Sequence, residues 1–183
     1  MLSSKRVVLP LVGSSFLPGK AKETIEEIED QELAQIAWAE YYFFSAKAKE
    51  CVGIVEKYLN HEDVILRLSA DMLYTFSNLT LGDAFAAQYA REDVYRCFEK
   101  IMKENTLIEE KASCVFAYYV ISIFIHIPPQ EEIPPLEQYI SYLPIGQRLF
   151  AISLLAHQTY LKQEYAKAKG IVLHLTFHIL IML

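Results

Sequence analysis

Between Pro18 and Pro128 the chain has no proline, and only Gly19, Gly53 and Gly82 interrupt it as glycines. So long a tract, rich in Ala, Leu, Glu and Lys and almost free of breakers, argues against strands and turns and for helices. Cysteine is scarce as well. Cys51, Cys97 and Cys114 show no CxxC spacing and are odd in number, which argues against a disulfide framework and for reduced thiols filling small core positions in a cytosolic chain. The net charge is -6 and the pI is near 5.4, which argues against a surface built to displace counterions from nucleic-acid phosphate. Long hydrophobic runs are missing too. The longest uncharged stretch runs from Ala112 to His126 and then meets "IPPQEEIPP", short of the roughly 20 residues that cross a bilayer. No membrane partner is expected, and the apolar run Val7 to Val12, broken by Pro10, is a poor signal-peptide core.

What is present reads as helices joined by short loops. The 183 residues suffice for one domain with a sizeable core but not comfortably for two. Residues 1–21 read as an irregular N-terminal segment, with Pro18-Gly19 as a turn, and residues 22–183 as the helical domain. Thr24 with Glu27 and Thr106 with Glu109 have the spacing of capping boxes, Asp30 with Leu33 is a weaker variant, and Gly82-Asp83 offers a stop followed by a start. These marks predict helices near 22–29, 32–45, 47–60, 63–80, 83–104, 107–126, 136–143, 146–162 and 165–181. Connections of a few residues make sequential helices antiparallel neighbours. The exception is "HIPPQEEIPP", His126 to Pro135, whose two Pro-Pro pairs predict a stiff, extended connector.

The tract "AWAEYYFFSAKAKECVGIVEKYL", Ala37 to Leu59, tests this division. As one helix it would carry Tyr41, Tyr42, Phe43 and Phe44 on every side of its first half. Broken at Ser45-Ala46, it becomes two helices, the second burying Cys51, Val55 and Tyr58 at helical spacing and showing Lys47, Glu50 and Glu56 to water. The broken form is the expectation.

A helix pair with a bulky residue, a small neighbour, an aromatic three further on and a small residue at the turn resembles the tetratricopeptide repeat. Trp38, Ala39, Tyr42, Ala46 and Cys51 hold those places. Leu155, Ala156, Thr159, Gln163, Tyr165 and Ala168 hold them again in "AISLLAHQTYLKQEYAKAKGIVLHL". Two further pairs fit more loosely: one turns at Gly82, and in the other the proline connector and a short returning helix replace the tight turn. The fold class expected is therefore all-α, a TPR-like α-α superhelix of about four antiparallel hairpins, with Trp38, Ala39, Tyr42, Cys51, Leu155, Ala156 and Ala168 as its repeat core.

More closely, "AWAEYYFFSAKAKECVGIVEKYL" and "RLSADMLYTFSNLTLGD" resemble the helical-repeat sensor region of bacterial LuxR-type, maltose-regulator-like transcriptional regulators. The resemblance implies a regulatory piece that meets DNA only through a domain absent from this chain. Neither a GxxxxGK[ST] phosphate loop nor a basic recognition helix is present. It also implies that the first helix of each hairpin lines a concave groove. Glu40, Phe43 and Phe44 would lie there from the first hairpin and His157 and Tyr160 from the fourth, facing a peptide, protein or small-molecule effector. The end "IVLHLTFHILIML" carries no charge after Lys169, whereas repeat arrays stop on a polar face. A cover is expected there, either further repeats or a second copy of the chain docking through residues 171–183. The alternative function is accordingly a free-standing adaptor or scaffold that homodimerises by this helix.

Catalytic chemistry has few candidates. His61 lies beside Glu62 and Asp63 at a helix start, where neighbours point apart, so a junction is expected rather than a metal site. His174 and His178 stand at i and i+4 but lack a local carboxylate or cysteine, which favours packing or an interface. Cys114 sits in an apolar helix without a histidine nearby. No convergent acid-base set appears, so neither an enzyme, a cofactor nor a metal is expected.

Overall fold

The computed structural model describes residues 18–103, 106–130, 132–171 and 173. The described residues are helical and contain no strand. The all-α expectation holds.

Helix α1 spans Pro18–Glu26, four residues earlier than predicted. Pro18 therefore opens a helix rather than marking a turn, because the missing N–H of proline is no loss in a first turn. Thr24 consequently falls inside α1 and not at its start. Helix α2, Gln31–Phe44, starts at Asp30, whose carboxylate accepts from the N–H of Glu32 at 3.0 Å and of Leu33 at 3.1 Å. Helix α3 covers Ala48–Val55 and tightens into a 3-10 turn, Glu56–Tyr58. Helix α4, Val64–Leu81, is capped by Asp63, which accepts from Ile65 N–H at 2.9 Å. Helix α5 is Ala84–Lys103, and Asp83 accepts from Ala86 N–H at its start. Helix α6 is Ile108–Phe124 with Leu107 as its cap residue. Thr106 does not form the predicted box, because its hydroxyl donates to the Ile101 carbonyl at 3.0 Å and closes the preceding helix instead. Helix α7 is Ile145–Leu161, and α8 runs over 165–171.

The predicted helix 136–143 is a correction. It is two 3-10 turns, Leu136–Gln138 and Ile140–Tyr142. Pro135 holds ψ at 132°, and Leu143, ahead of Pro144, is extended at ψ 147°. The few residues between cannot nucleate a stable α-helix.

One turn recurs four times. The chain reverses at Ala46, Gly82, His126 and Gln163, with φ of 58°, 88°, 57° and 62°. At each, two hydrogen bonds close the helix end: Ala46 N–H to Phe43 O and Lys47 N–H to Tyr42 O; Gly82 to Leu79 and Asp83 to Asn78; His126 to Ile123 and Ile127 to Ser122; Gln163 to Tyr160 and Glu164 to Thr159. This is the Schellman pattern, a 6→1 bond outside a 5→2 bond. It satisfies carbonyls at the end of α2, α4, α6 and α7 that the helix itself leaves open. Only one of the four turn residues is glycine, so three L residues sit in a region that costs them about 1–2 kcal/mol.

Packing follows chain order. Helix α2 lies on α3, α3 on α4, α4 on α5 and α5 on α6, while the first helices of successive pairs also touch, α2 with α4 and α4 with α6. Helix α4 carries two apolar faces to match. Leu66, Ala70 and Leu73 join one core with Ile36, Ala39, Cys51 and Val55, and Ile65, Leu68 and Met72 join another with Val94, Cys97, Phe116 and Ile121. After α6 no full return helix follows. The connector is held by buried Arg91, whose Nε donates to Ser122 Oγ at 3.0 Å and whose terminal nitrogen donates to Pro128 O at 3.0 Å, with the guanidinium 4.9 Å from the Tyr118 ring centre. Buried Ile133, Leu136 and Leu143 supply the apolar surface a helix would have given.

No helix among the described residues is long and apolar enough to cross a membrane. Residues 1–17, 104–105, 131, 172 and 174–183 lie outside the described residues. So do His174, His178 and all but 171 and 173 of the segment expected to dimerise.

Candidate functional site: an aromatic cavity across the first helices

The last turns of α2, α4 and α6 come together with α7 around a cavity of about 460 Å³. Its walls are Phe43 and Phe44 from α2, Phe76, Leu79 and Thr80 from α4, Phe124 from α6 and Phe150 from α7. The rings form a chain across three helices: Phe44 to Phe43 at 5.2 Å, Phe43 to Phe76 at 5.8 Å and Phe76 to Phe124 at 4.7 Å between centres. Such offset ring contacts are favourable beyond the area they bury. The one hydroxyl, on Thr80, donates back to the Phe76 carbonyl at 2.9 Å.

Counted back from the turn residues, five of the seven walls hold corresponding positions. Phe43 and Leu79 stand three places before Ala46 and Gly82; Phe44, Thr80 and Phe124 stand two places before Ala46, Gly82 and His126. Identical turns thus bring identical positions of successive helices to one place.

Of the groove residues expected from the sequence, Phe43 and Phe44 line this cavity. Glu40 does not line it; it stands one turn earlier on α2, fully buried, with neither carboxylate oxygen hydrogen-bonded. Burial pushes its pKa well above the usual carboxylate range. Ser77 is buried beside Cys51, whose thiol is pushed up to about 11, chiefly by burial, with Ser77 lowering it and Glu40 raising it. His157 and Tyr160 do not line the cavity. They are exposed on α7, where Tyr160 meets Tyr165 at 5.3 Å. The connector and its 3-10 turns replace a return helix, so α7 docks differently. It turns Ala151 and Leu154 into the core and sets Phe150 against Phe116 at 6.1 Å.

Among the repeat-core positions, Ala39, Cys51, Ala156 and Ala168 are buried, while Trp38, Tyr42 and Leu155 are half-buried. Trp38 packs on its own helix, against Tyr41 at 5.5 Å and Tyr42 at 5.9 Å. The sequence reading missed Phe76, Leu79, Thr80, Phe124 and Phe150. The first four were legible in principle: aligning Gly82 and His126 on Ala46 sets Leu79–Thr80 and Phe124 beside Phe43–Phe44, and Phe76 at the place of Glu40.

His61 is a junction residue. Its Nε2 lies 3.2 Å from Glu32 Oε1, and its Nδ1 accepts from Asp63 N–H at 3.0 Å. Cys114 is fully buried, with burial driving its thiol pKa up, and it donates to the Val94 carbonyl at 3.8 Å. A thiol so held is not a nucleophile at neutral pH. Among the described residues no group of three or more His, Cys, Asp or Glu is placed to hold a metal.

No family model matches the chain, and neither a curated protein nor a solved structure shows significant similarity to it.

Proposed function

We propose that this chain is a ligand- or protein-binding helical-repeat module, a TPR-like α-α superhelix serving a bacterial LuxR-type transcriptional regulator, and that it is not an enzyme. The observation that carries the reading is the cavity in which five of seven walls, from α2, α4 and α6, hold corresponding positions before their turns. A surface made by stacking identical positions is the way repeat proteins form binding faces. An occupant touching four helices at once would favour one curvature of the stack, and such a population shift is how an effector would reach cytoplasmic domains outside this chain. The regulator assignment rests on the resemblance of Ala37 to Leu59 and of Arg67 to Asp83.

Titration with the neutral dye Nile red tests the binding reading. The chain should take up one equivalent, and Thr80→Trp, which fills the cavity, should abolish uptake without lowering the thermal midpoint. Equal uptake by both proteins would contradict it. For the regulator assignment, the coding sequence should continue in frame into a helix-turn-helix domain. The adaptor alternative draws on the large apolar residues exposed on the last hairpin, Tyr160, Leu161, Tyr165 and Leu173. Sedimentation that depends on concentration, and loses that dependence without residues 171–183, would favour it.

A further inference from the structure

We propose that the aromatic cavity takes a lipophilic cation, an apolar body carrying a single ammonium group. The inference rests on the binding reading above and deepens it by naming the chemistry of the ligand. Three independent features set that chemistry.

The first is the lining. Five phenylalanines and a leucine surround the space, and the Thr80 hydroxyl already spends its proton on the Phe76 carbonyl. No charged side chain lines it, so the body of the ligand must be hydrocarbon. A volume of about 460 Å³ falls within the roughly 300–1,000 Å³ usual for small-molecule pockets.

The second is the sign of the field. The cavity opens where α2, α4 and α6 end, and no basic residue occupies the last turn of any of the three. Each helix C-terminus carries a partial negative charge of about half an electron. The faces of the phenylalanine rings are negative as well, which is what draws an ammonium over an aromatic surface. The nearest lysine in sequence, Lys47, is turned onto the Tyr42 ring at 5.7 Å. A carboxylate ligand would be repelled from all sides.

The third is Glu40. It stands on α2 one helical turn before Phe43 and Phe44, and side chains on a helix lean toward its N-terminus, so these two rings lie over the turn that bears it. In the repeat register Glu40 holds the place of Phe76, which lines the cavity. A fully buried carboxyl with both oxygens unpaired is rare in a folded chain and calls for a reason. A carboxyl that stays neutral while the cavity is empty, and releases its proton to solvent when an ammonium reaches it, is one. Phe44 is 47% exposed, which leaves it room to swing aside as the ammonium settles toward Glu40.

Isothermal titration with three probes of one shape separates the outcomes: 4-phenylbutylamine, 4-phenylbutanol and 4-phenylbutanoate. The amine should bind about tenfold tighter than the alcohol, with the carboxylate weakest, and Glu40→Gln should bring the amine down to the level of the alcohol. An alcohol that binds the wild-type chain as tightly as the amine would overturn the cation, while leaving the binding module standing if Thr80→Trp abolishes its uptake. Should no probe bind, or should Thr80→Trp bind all three as the wild type does, the cavity is not the site and both readings fall.

Discussion

The first two hairpins and the last two use the same turn to different ends. In the first half, each first helix is followed by a return helix, and α4 is held between two cores by Leu66, Ala70 and Leu73 on one side and Ile65, Leu68 and Met72 on the other. In the second half, the turn at His126 has the same two hydrogen bonds, but no return helix follows. The proline connector takes its place, fastened by Arg91 to Ser122 and Pro128. The turn is therefore local, made by one residue in the left-handed region and its flanking amides. Stacking is not local, because it needs a second helix to set where the next first helix lands. Losing that helix after α6 moves His157 and Tyr160 off the shared face and brings Phe150 to it.

Substitutions in the two halves should sharpen this contrast. Leu68→Ala, which empties the fully buried side of α4, should cost about 2–5 kcal/mol in urea denaturation. Leu154→Ala on the more sparsely covered α7 should cost less, and equal losses would erase the distinction. Arg91→Met should cost about 1.5–3 kcal/mol, the worth of charge-assisted hydrogen bonds. Amide exchange should then quicken across residues 127–130 and stay unchanged in α2 and α3; faster exchange throughout would mean that Arg91 supports the whole stack and not the connector.

The buried carboxyl of the first half supplies a pH test. Burial raises Glu40, so the native chain keeps a proton that the unfolded chain loses near pH 4. Stability should accordingly fall as pH climbs from about 4 toward the raised native value. Glu40→Met removes two unpaired oxygens and should stabilise by about 1–3 kcal/mol at pH 8, with a smaller gain at pH 4. A gain independent of pH would show that Glu40 is ionised in the native chain.

The turns should give the smallest effects. A Cβ added at Gly82 meets nothing within 4 Å, so Gly82→Ala should lose about 1 kcal/mol through backbone conformation alone, and Ala46→Gly should gain about as much. Thermal midpoints that move the same way in both variants would contradict the shared turn.

Much of the fold was legible because its determinants are local. Asp30 and Asp83 cap helices through their own side chains, Gly82 supplies a positive φ, and the quartet Tyr41 to Phe44 cannot be buried on all sides of one rod. The errors also have local physical causes. Pro18 reads equally as a turn and as a helix's first residue, and the Thr106 hydroxyl had two acceptors to choose between. "LEQYISYL" has helical spacing, yet it is too short between Pro135 and Pro144 to sustain a helix. The site was half legible. Phe43 and Phe44 follow from repeat register, whereas Phe150 follows from how α7 docks after a missing helix, which no spacing along the chain records.

The most direct test of the account is proton NMR of the chain with labelled phenylalanine rings, before and after addition of 4-phenylbutylamine. Ring contacts should link Phe43 to Phe76 and Phe76 to Phe124, and the amine should shift Phe43, Phe76, Phe124 and Phe150 while leaving Phe85 and Phe98 in place. Missing contacts between those rings, or shifts centred on Phe85 and Phe98, would contradict a cavity built by stacking equivalent helices.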